Sequence, residues 1–423
     1  MTQPLDERRV RLLQLVHGYP PAVGGVEIAT RDRAERLVAE HGFQVTVLTT
    51  NCYTVNGFRN PRAPTIPIRP HEVQNGVHIR RFPVRRAFGP ALHLAANAAY
   101  RFRAPGNDVL RTLSSGPICP EMLDAVRDFR PDVICAASFP LNHMTYPFRI
   151  PAPRPPVVLI GAIHTNDDWG FDRPNLLRLV NQSFATIAHT ETEREWLIAR
   201  GAKPDRVRVI GLGVDEAALR PQHGAFREGQ GIPADAYLIA YFGQLASHKG
   251  IDVLVHTLPR LIAQDENTWL AIAGSSTPFV GRLFELLGEL PLDVRGRVSI
   301  LTDVDDQTKA DLLGDCDVFA SPSQAESFGF TTIEAWSLGK PVVVGDAPSQ
   351  RSIVADGVNG FIVPHGDSER LIQALGRLRD PALRAEIGRA GGELVSQRYD
   401  RRQVDATYAE LFRSAANAGR AAA

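Results

Sequence analysis

Long hydrophobic runs are missing from this chain of 423 residues: no stretch approaches the roughly 20 apolar residues of a membrane-spanning helix. The opening "MTQPLDERRVRLLQLVHGYPP" has charges followed by an apolar run of only about six residues, too short for the core of a secretion signal. A cytoplasmic protein is therefore expected. Cysteine is scarce and scattered. Cys52, Cys119, Cys135 and Cys316 show neither a CxxC pair nor metal-ligand spacing, which argues against a disulfide framework and fits a reducing compartment. An excess of one charge is lacking too. Lys plus Arg equals Asp plus Glu at 47 each, so no global field draws nucleic acid or a membrane surface.

What is present is ordinary globular composition, 44% hydrophobic and 22% charged, in a chain too long for one core. Two domains are expected. Short apolar runs alternate with amphipathic segments: "VRLLQLV" (10–16), a Gly/Pro loop, a helix with Ile28, Ala34, Leu37 and Val38 on one face and Gly42 at its end, then "QVTVLTT" (44–50). That is a βαβ start, and "DVICAAS", "PVVLIGAIH" and "TIAHT" continue it. A Gly-, Pro- and charge-rich stretch reads as a linker over 206–235, after which the rhythm resumes from "YLIAYFGQL" to "GFIVP". The reading is an α/β chain with a parallel-sheet domain over 1–205, a second over 236–395, and a cleft between them where such sheets bind ligands. A last helical stretch, 396–423, shows Val404, Tyr408, Leu411 and Phe412 on one face and packs across a surface.

Residues 51–115 break the rhythm as a basic, proline-rich insertion. Between Arg59 and Arg111 ten arginines face only Glu72 and Asp108. The plainer reading is a solvated segment with its arginines in water. The functional one is a surface for an anionic or membrane-bound substrate, with Arg80, Arg81, Arg85 and Arg86 meeting an anionic membrane from its inner face.

Several positions could carry chemistry. "HGYPPAVGGVE" leaves the first strand as a glycine turn, and Gly24 and Gly25 let a phosphate approach backbone N–H groups. It is not the GxGxxG of a dinucleotide fold. Lys249, past the end of "YLIAYFGQL", can neutralise a phosphate leaving group or can be a surface lysine. His164 ends "VVLIGAIH", on the edge where parallel sheets hold ligands. Asp167 and Asp168 follow, but nothing completes a metal site. In "AESFGFTTIEAWSLGKPVVVGD" a helix begins at Thr331 or Thr332, with Glu326 in the loop before it and Glu334 one turn inside. The N–H groups from Ser327 to Thr331 are then open to an anion. A carboxylate on either side of an anion site suits a nucleoside diphosphate sugar, whose hydroxyls flank its phosphates.

"GYPPAVGGVE", "FGQLASHKGIDVLV" and "SPSQAESFGFTTIEAWSLGKPVVVGD" together resemble the retaining glycosyltransferases of the GT-B fold, in particular glycosyltransferase family 4. The resemblance implies an acceptor-binding first domain, a nucleotide-sugar-binding second domain, and a final helix that crosses back to the first. It implies that Gly24 and Gly25 approach the distal phosphate and that Lys249 contacts the diphosphate. Glu326 would hold hydroxyls of the donor sugar, the backbone of Ser327, Phe328 and Gly329 would meet phosphate or sugar, and Glu334 would bind the ribose. His164 matches a histidine beside the donor sugar, and His164, Lys249 and Glu326 form the catalytic set. Gln244 stands in the donor site where the family usually has Arg. Losing a charge-assisted contact there costs about 1.5–3 kcal/mol unless His248 or another cation compensates. "VIGLGVD" and Ser352 are further departures.

The expected reaction moves a hexose-type sugar, with retention, from a UDP- or GDP-sugar to a hydroxyl of a glycolipid, polysaccharide precursor or small molecule. No cofactor or metal is required, and nucleic acid is not a partner. The alternatives are a sugar-nucleotide epimerase of the same fold and a donor-binding scaffold that has lost turnover.

Overall fold

The computed structural model describes residues 9–22, 24–86 and 89–422. The charged start of the chain, read above for a targeting signal, lies largely outside them, as does Val23 of the glycine turn. The chain forms two compact units. One holds the residues up to Gly211 together with those from Val404, and the other spans Leu212–Gln403.

The first unit is built on β1 (Arg11–Leu15), β2 (Gln44–Thr50), β3 (Glu72–Gln74), β4 (Val77–Phe82), β5 (Val133–Ala137), β6 (Val157–Ile160), β7 (Ala185–Ala188) and β8 (Val207–Val209). Their order is β3-β4-β2-β1-β5-β6-β7-β8, parallel except for the β3–β4 pair. The second unit carries β9 (Tyr237–Phe242), β10 (Thr268–Gly274), β11 (Val298–Thr302), β12 (Val318–Ser321), β13 (Val342–Gly345) and β14 (Phe361–Val363) in the order β11-β10-β9-β12-β13-β14, all parallel. Strands such as "VICAA" and "VVVG" are buried along their whole length, because helices cover both faces of each sheet. That explains why they read as continuous apolar runs.

In each sheet the strand order reverses beside the first strand. β1 lies between β2 and β5, and β9 between β10 and β12. Loops leaving the carboxyl ends of the two central strands therefore diverge and leave room for a ligand. The loops after β1 and β5 do this in the first unit, and those after β9 and β12 in the second.

Three elements differ from the sequence reading. Residues 51–115 are not a solvated insertion, because β4 pairs with β2 inside the sheet and buries Val77, Ile79 and Phe82. The stretch 206–235 is not only a linker. It supplies β8 to the first sheet and a short helix, Ala225–Gln230, to the second unit. The first helix, Gly25–Ala39, buries Glu27, Thr30 and Arg33 along with Ala34 and Leu37, while Ile28 and Val38 are only half-buried. The final helix, Arg401–Ala422, packs Val404, Tyr408, Leu411 and Phe412 into the first unit's core beside Leu12, Val45 and Val133. Asp405 anchors it to Arg36 at 3.0 Å.

Candidate active site

At the reversal point of the second sheet, the chain leaving β9 makes a turn at Ser247–Lys249 and enters the helix Ile251–Gln264 through Gly250. Gly250 has φ +70°, and a Cβ there would run into the Pro322 carbonyl of the loop after β12. The two loops are thus in backbone contact, and the Gln324 N–H donates to the His248 carbonyl at 2.9 Å. Lys249 Nζ consequently reaches Glu326 Oε1 at 2.6 Å, with Ser323 Oγ donating to the same oxygen at 3.0 Å. Both side chains remain partly open, at 15% and 18% exposure, so the pair is accessible to a ligand.

The "ESFGF" segment is held from below. Phe328 is buried edge-on against Tyr399, and Ser349 Oγ donates to the Glu326 carbonyl at 2.7 Å. Gly329 caps the helix Phe330–Ser337 with φ +94°, and a Cβ there would collide with the Gln350 side-chain amide. That amide donates to the Phe328 carbonyl at 3.3 Å. A fixed loop entering a helix leaves the first backbone N–H groups without acceptors in their own helix, a setting suited to phosphate.

Glu334 is buried on that helix and accepts from Lys309 Nζ at 2.8 Å. Burial holds its carboxyl above the usual range, and the Lys309 ammonium opposes the rise. Lys309 lies on the helix Asp306–Asp315 and also stands 5.8 Å over the Phe242 ring. Nothing in the sequence singled it out, since 25 residues separate the partners. Gln244 is exposed, with its carbonyl accepting from Tyr241 Oη at 2.9 Å. Burial and Lys249 lower the pKa of the neighbouring His248, against the pull of Glu326.

In the first unit the glycine turn rests on a buried trio that the sequence reading overlooked. His17 Nε2 meets Glu27 Oε1 at 2.9 Å, and His17 Nδ1 meets Ser138 Oγ at 2.7 Å. The trio ties the loop after β1 to the loop after β5, across the reversal point. A Cβ on Gly24 would fall onto the Glu27 carboxylate, whereas Gly25 faces open space at the start of its helix. The final Glu of "GGVE" was the available signal. Its histidine and serine partners are remote in sequence.

His164 lies beyond the end of β6 and not on it, since the strand stops at Ile160 and Ala162 turns the chain at φ +72°. The imidazole is half-buried, 5.4 Å from the Phe171 ring. The turn before it is held by Glu193, whose buried carboxylate accepts from the backbone of His189, at 3.1 Å, and from Ile163 and Ala162. Burial pushes the Glu193 pKa from 4.5 up to about 8. Because the folded state holds this proton more tightly than the unfolded chain, the stabilising contribution is complete below about pH 4.5 and is lost as pH rises through about 8. Wild-type protein should therefore lose thermal stability between about pH 5 and pH 8, and Glu193→Gln should flatten that part of a Tm-against-pH curve. An unchanged slope would contradict it.

Asp167 caps a short helix through the Gly170 N–H at 2.8 Å and Asp168 pairs with Arg200 at 3.0 Å, so both have structural partners. Of the four arginines expected at a membrane, Arg81 is excluded by burial. It pairs with Glu72 at 2.7 Å and donates to the Tyr19 carbonyl at 3.1 Å. Arg86 is half-buried and bonds to the Ala63 carbonyl and Cys52 Sγ. Arg80 and Arg85 remain exposed. No described helix is long and apolar enough to cross a membrane.

Residues 24–213 match the family model for a glycosyl transferase 4-like domain, and residues 223–393 match glycosyl transferases group 1. A D-inositol 3-phosphate glycosyltransferase of Xylanimonas cellulosilytica is 34% identical over 56% of this chain and 58% of that protein. A phosphatidyl-myo-inositol mannosyltransferase of Mycolicibacterium smegmatis is 32% identical over 45% of this chain and 48% of that protein. The matched region thus spans only part of the length of these curated relatives. Two solved structures share the fold across nearly the whole chain. Sucrose-phosphate synthase from Thermosynechococcus elongatus has a TM-score of 0.71 at 19% identity, covering 96% of this chain and 99% of that one. Anabaena HepE, solved in complex with UDP-glucose, has 0.65 at 20%, covering 96% and 100%.

Proposed function

Since the chain belongs to glycosyltransferase family 4, the glycosyl transferases group 1, and has the two parallel-sheet domains of the GT-B fold, we propose that it transfers a hexose-type sugar from a nucleoside diphosphate sugar to an acceptor hydroxyl with retention. The observation that carries this reading is the Lys249–Glu326 pair at the strand-order reversal, beside a helix start that suits phosphate. Lys249 takes the charge that develops on the leaving diphosphate, helped by the amides of Ser327, Phe328 and Gly329. Glu326 accepts hydrogen bonds from donor-sugar hydroxyls, and Glu334 from the ribose. Gly24 and Gly25 give the distal phosphate backbone access, and His164 lies against the donor sugar. As the anomeric carbon–oxygen bond to the phosphate breaks, the acceptor oxygen bonds to that carbon on the same face. The departing phosphate oxygen takes the acceptor's proton. Positioning and electrostatics account for the catalysis.

The donor is a UDP- or GDP-sugar, and the acceptor a sugar, a lipid-linked sugar or a small molecule. We place the reaction in the cytoplasm, where four free, buried cysteines stay reduced. Any contact with an anionic membrane falls to Arg80 and Arg85. The test is a thermal-shift titration with UDP, GDP, ADP and their hexose conjugates, followed by a transfer assay with the best responder. One nucleotide standing out supports the reading, and no response from folded protein overturns it. His164→Ala should keep the nucleotide response while kcat falls about tenfold or more, the worth of one well-placed hydrogen bond.

Gln244 favours a second reading. With an exposed amide where the family usually has a cation, the chain would bind the donor without turning it over. A nucleotide response with neither transfer nor donor hydrolysis would select it.

A further inference from the structure

A buried arginine can spend nearly all of its donors inside the fold. Arg111 does so, with Nη1 to the Asp168 and Trp169 carbonyls, Nη2 to the Asp172 carbonyl and Nε to Asn107 Oδ1. Arg173, at the start of the helix Pro174–Gln182, does not. It is fully buried, yet Nη1 makes only long contacts, 3.5 Å to Thr112 Oγ1 and 3.4 Å to the Pro140 carbonyl. Its Nε and Nη2 are buried without a hydrogen-bond partner among the described residues. No carboxylate there forms an ion pair with it.

Other unspent groups gather beside it. The guanidinium stands 5.6 Å over the Trp169 ring, and the indole Nε1 is also buried without a partner. His93 meets the same indole edge-on at 5.5 Å, and its Nδ1 is a fourth buried atom with none. Arg59, whose Nε donates to the Ser114 carbonyl at 2.9 Å, packs its backbone against Gly89 at the start of the helix that carries His93, and adds to the burial that lowers the pKa of His93 and Arg173. Asp167 and Asp108 offset part of the charge from a distance without forming an ion pair, and burying a guanidinium unpaired is unfavourable unless something neutralises it.

We propose that Arg59, His93, Trp169 and Arg173 form an oxyanion-binding subsite that takes a phosphate ester carried by the acceptor. The guanidinium fork matches two phosphate oxygens, and the indole N–H and imidazole supply further polar contacts. Burial together with Arg111 and Arg59 pushes the Arg173 pKa down to about 9 against the opposing pull of Asp167 and Asp108, a penalty that a bound anion removes. The subsite shares a loop with His164, whose carbonyl accepts from the Asp167 N–H at 3.1 Å and whose ring touches Phe171. The inference rests on the transferase reading for the word acceptor, but the anion site stands on its own geometry.

The probe is inorganic phosphate, titrated by thermal shift against wild-type protein, Lys249→Ala, Arg173→Met and His93→Ala. Phosphate should raise the Tm of wild type and Lys249→Ala alike, and the response should vanish in Arg173→Met. Without phosphate, Arg173→Met should melt at or above the wild-type temperature, because an apolar chain replaces an unpaired charge. Should that variant not fold, His93→Ala decides the matter with at least a threefold weaker phosphate response. A response that persists in both variants, or that disappears with Lys249 alone, overturns the proposal. Sedimentation with phosphatidylglycerol vesicles and titration with glycerol 3-phosphate then separate a lipid headgroup from a soluble ester, and loss of either signal in His93→Ala supports the subsite. UDP titration of the same variants tests the transferase reading separately.

Discussion

Lys249→Ala is expected to lower kcat for sugar transfer by about 10²–10³-fold, the usual consequence of removing one preorganised group that stabilises transition-state charge. The lysine is placed for that role by the Gly250 crossing, which brings the turn after β9 against the loop after β12. Removing it also strips Glu326 of its cation, leaving Ser323 Oγ as the remaining side-chain donor to Oε1. With both side chains largely shielded, that orphaned carboxylate should cost about 1–3 kcal/mol of stability. A loss of activity alone would therefore be ambiguous. The double variant Lys249→Ala/Glu326→Ala separates the two effects. Removing both partners should return most of the lost melting temperature, because no charge remains uncompensated. Transfer should fall at least as far as in the single variant, since the leaving diphosphate still lacks its cation and the donor-sugar hydroxyls have also lost Glu326. If the double variant recovers activity along with stability, the pair is a structural clamp and its catalytic role fails.

The pair was legible in sequence only as two separate residues. Glu326, Phe328, Gly329 and Glu334 fall within one loop and one helix turn, so local spacing was enough to group them. Parallel strands buried on both faces also declare themselves, as "VICAA" and "VVVG" did. β4 was hidden for the opposite reason. In "VHIRRF", Val77 and Ile79 alternate into the core, but Arg81 is buried as well, neutralised by Glu72 on β3. That pairing depends on a hairpin no composition window detects, so the strand read as part of a charged insertion. His17, Ser138, Lys309 and Glu193 were missed for a related reason. Each is an ordinary residue whose partner is brought close only by the sheet order, as when β1 and β5 lie side by side and join His17 to Ser138 across 121 positions.

Glu334→Ala should remove half or more of the thermal response to the donor nucleotide while leaving a folded protein. A ligand at a hundred times its Kd adds about 2.7 kcal/mol of stability, a shift of several degrees. Losing hydrogen bonds from ribose hydroxyls to a charged acceptor removes about 1.5–3 kcal/mol, or about ten- to a hundredfold in Kd. At a fixed nucleotide concentration that consumes from about half to most of the shift. The free protein complicates matters, because Glu334 accepts from Lys309 at 2.8 Å and the variant leaves that ammonium without its buried partner. The exposed Asp306, 3.7 Å from Lys309, and the Phe242 ring remain to hold it, so the apo melting temperature should fall only moderately. Lys309→Met supplies the contrast. It disturbs the same pair, but it leaves the carboxylate in place for the ribose, so some nucleotide response should survive. A response cut by half or more in Glu334→Ala and largely kept in Lys309→Met assigns the ribose contact to Glu334. Equal responses in the two variants would reduce Glu334 to a buried counter-ion and leave the nucleotide to be held by Lys249 and the Ser327–Gly329 backbone.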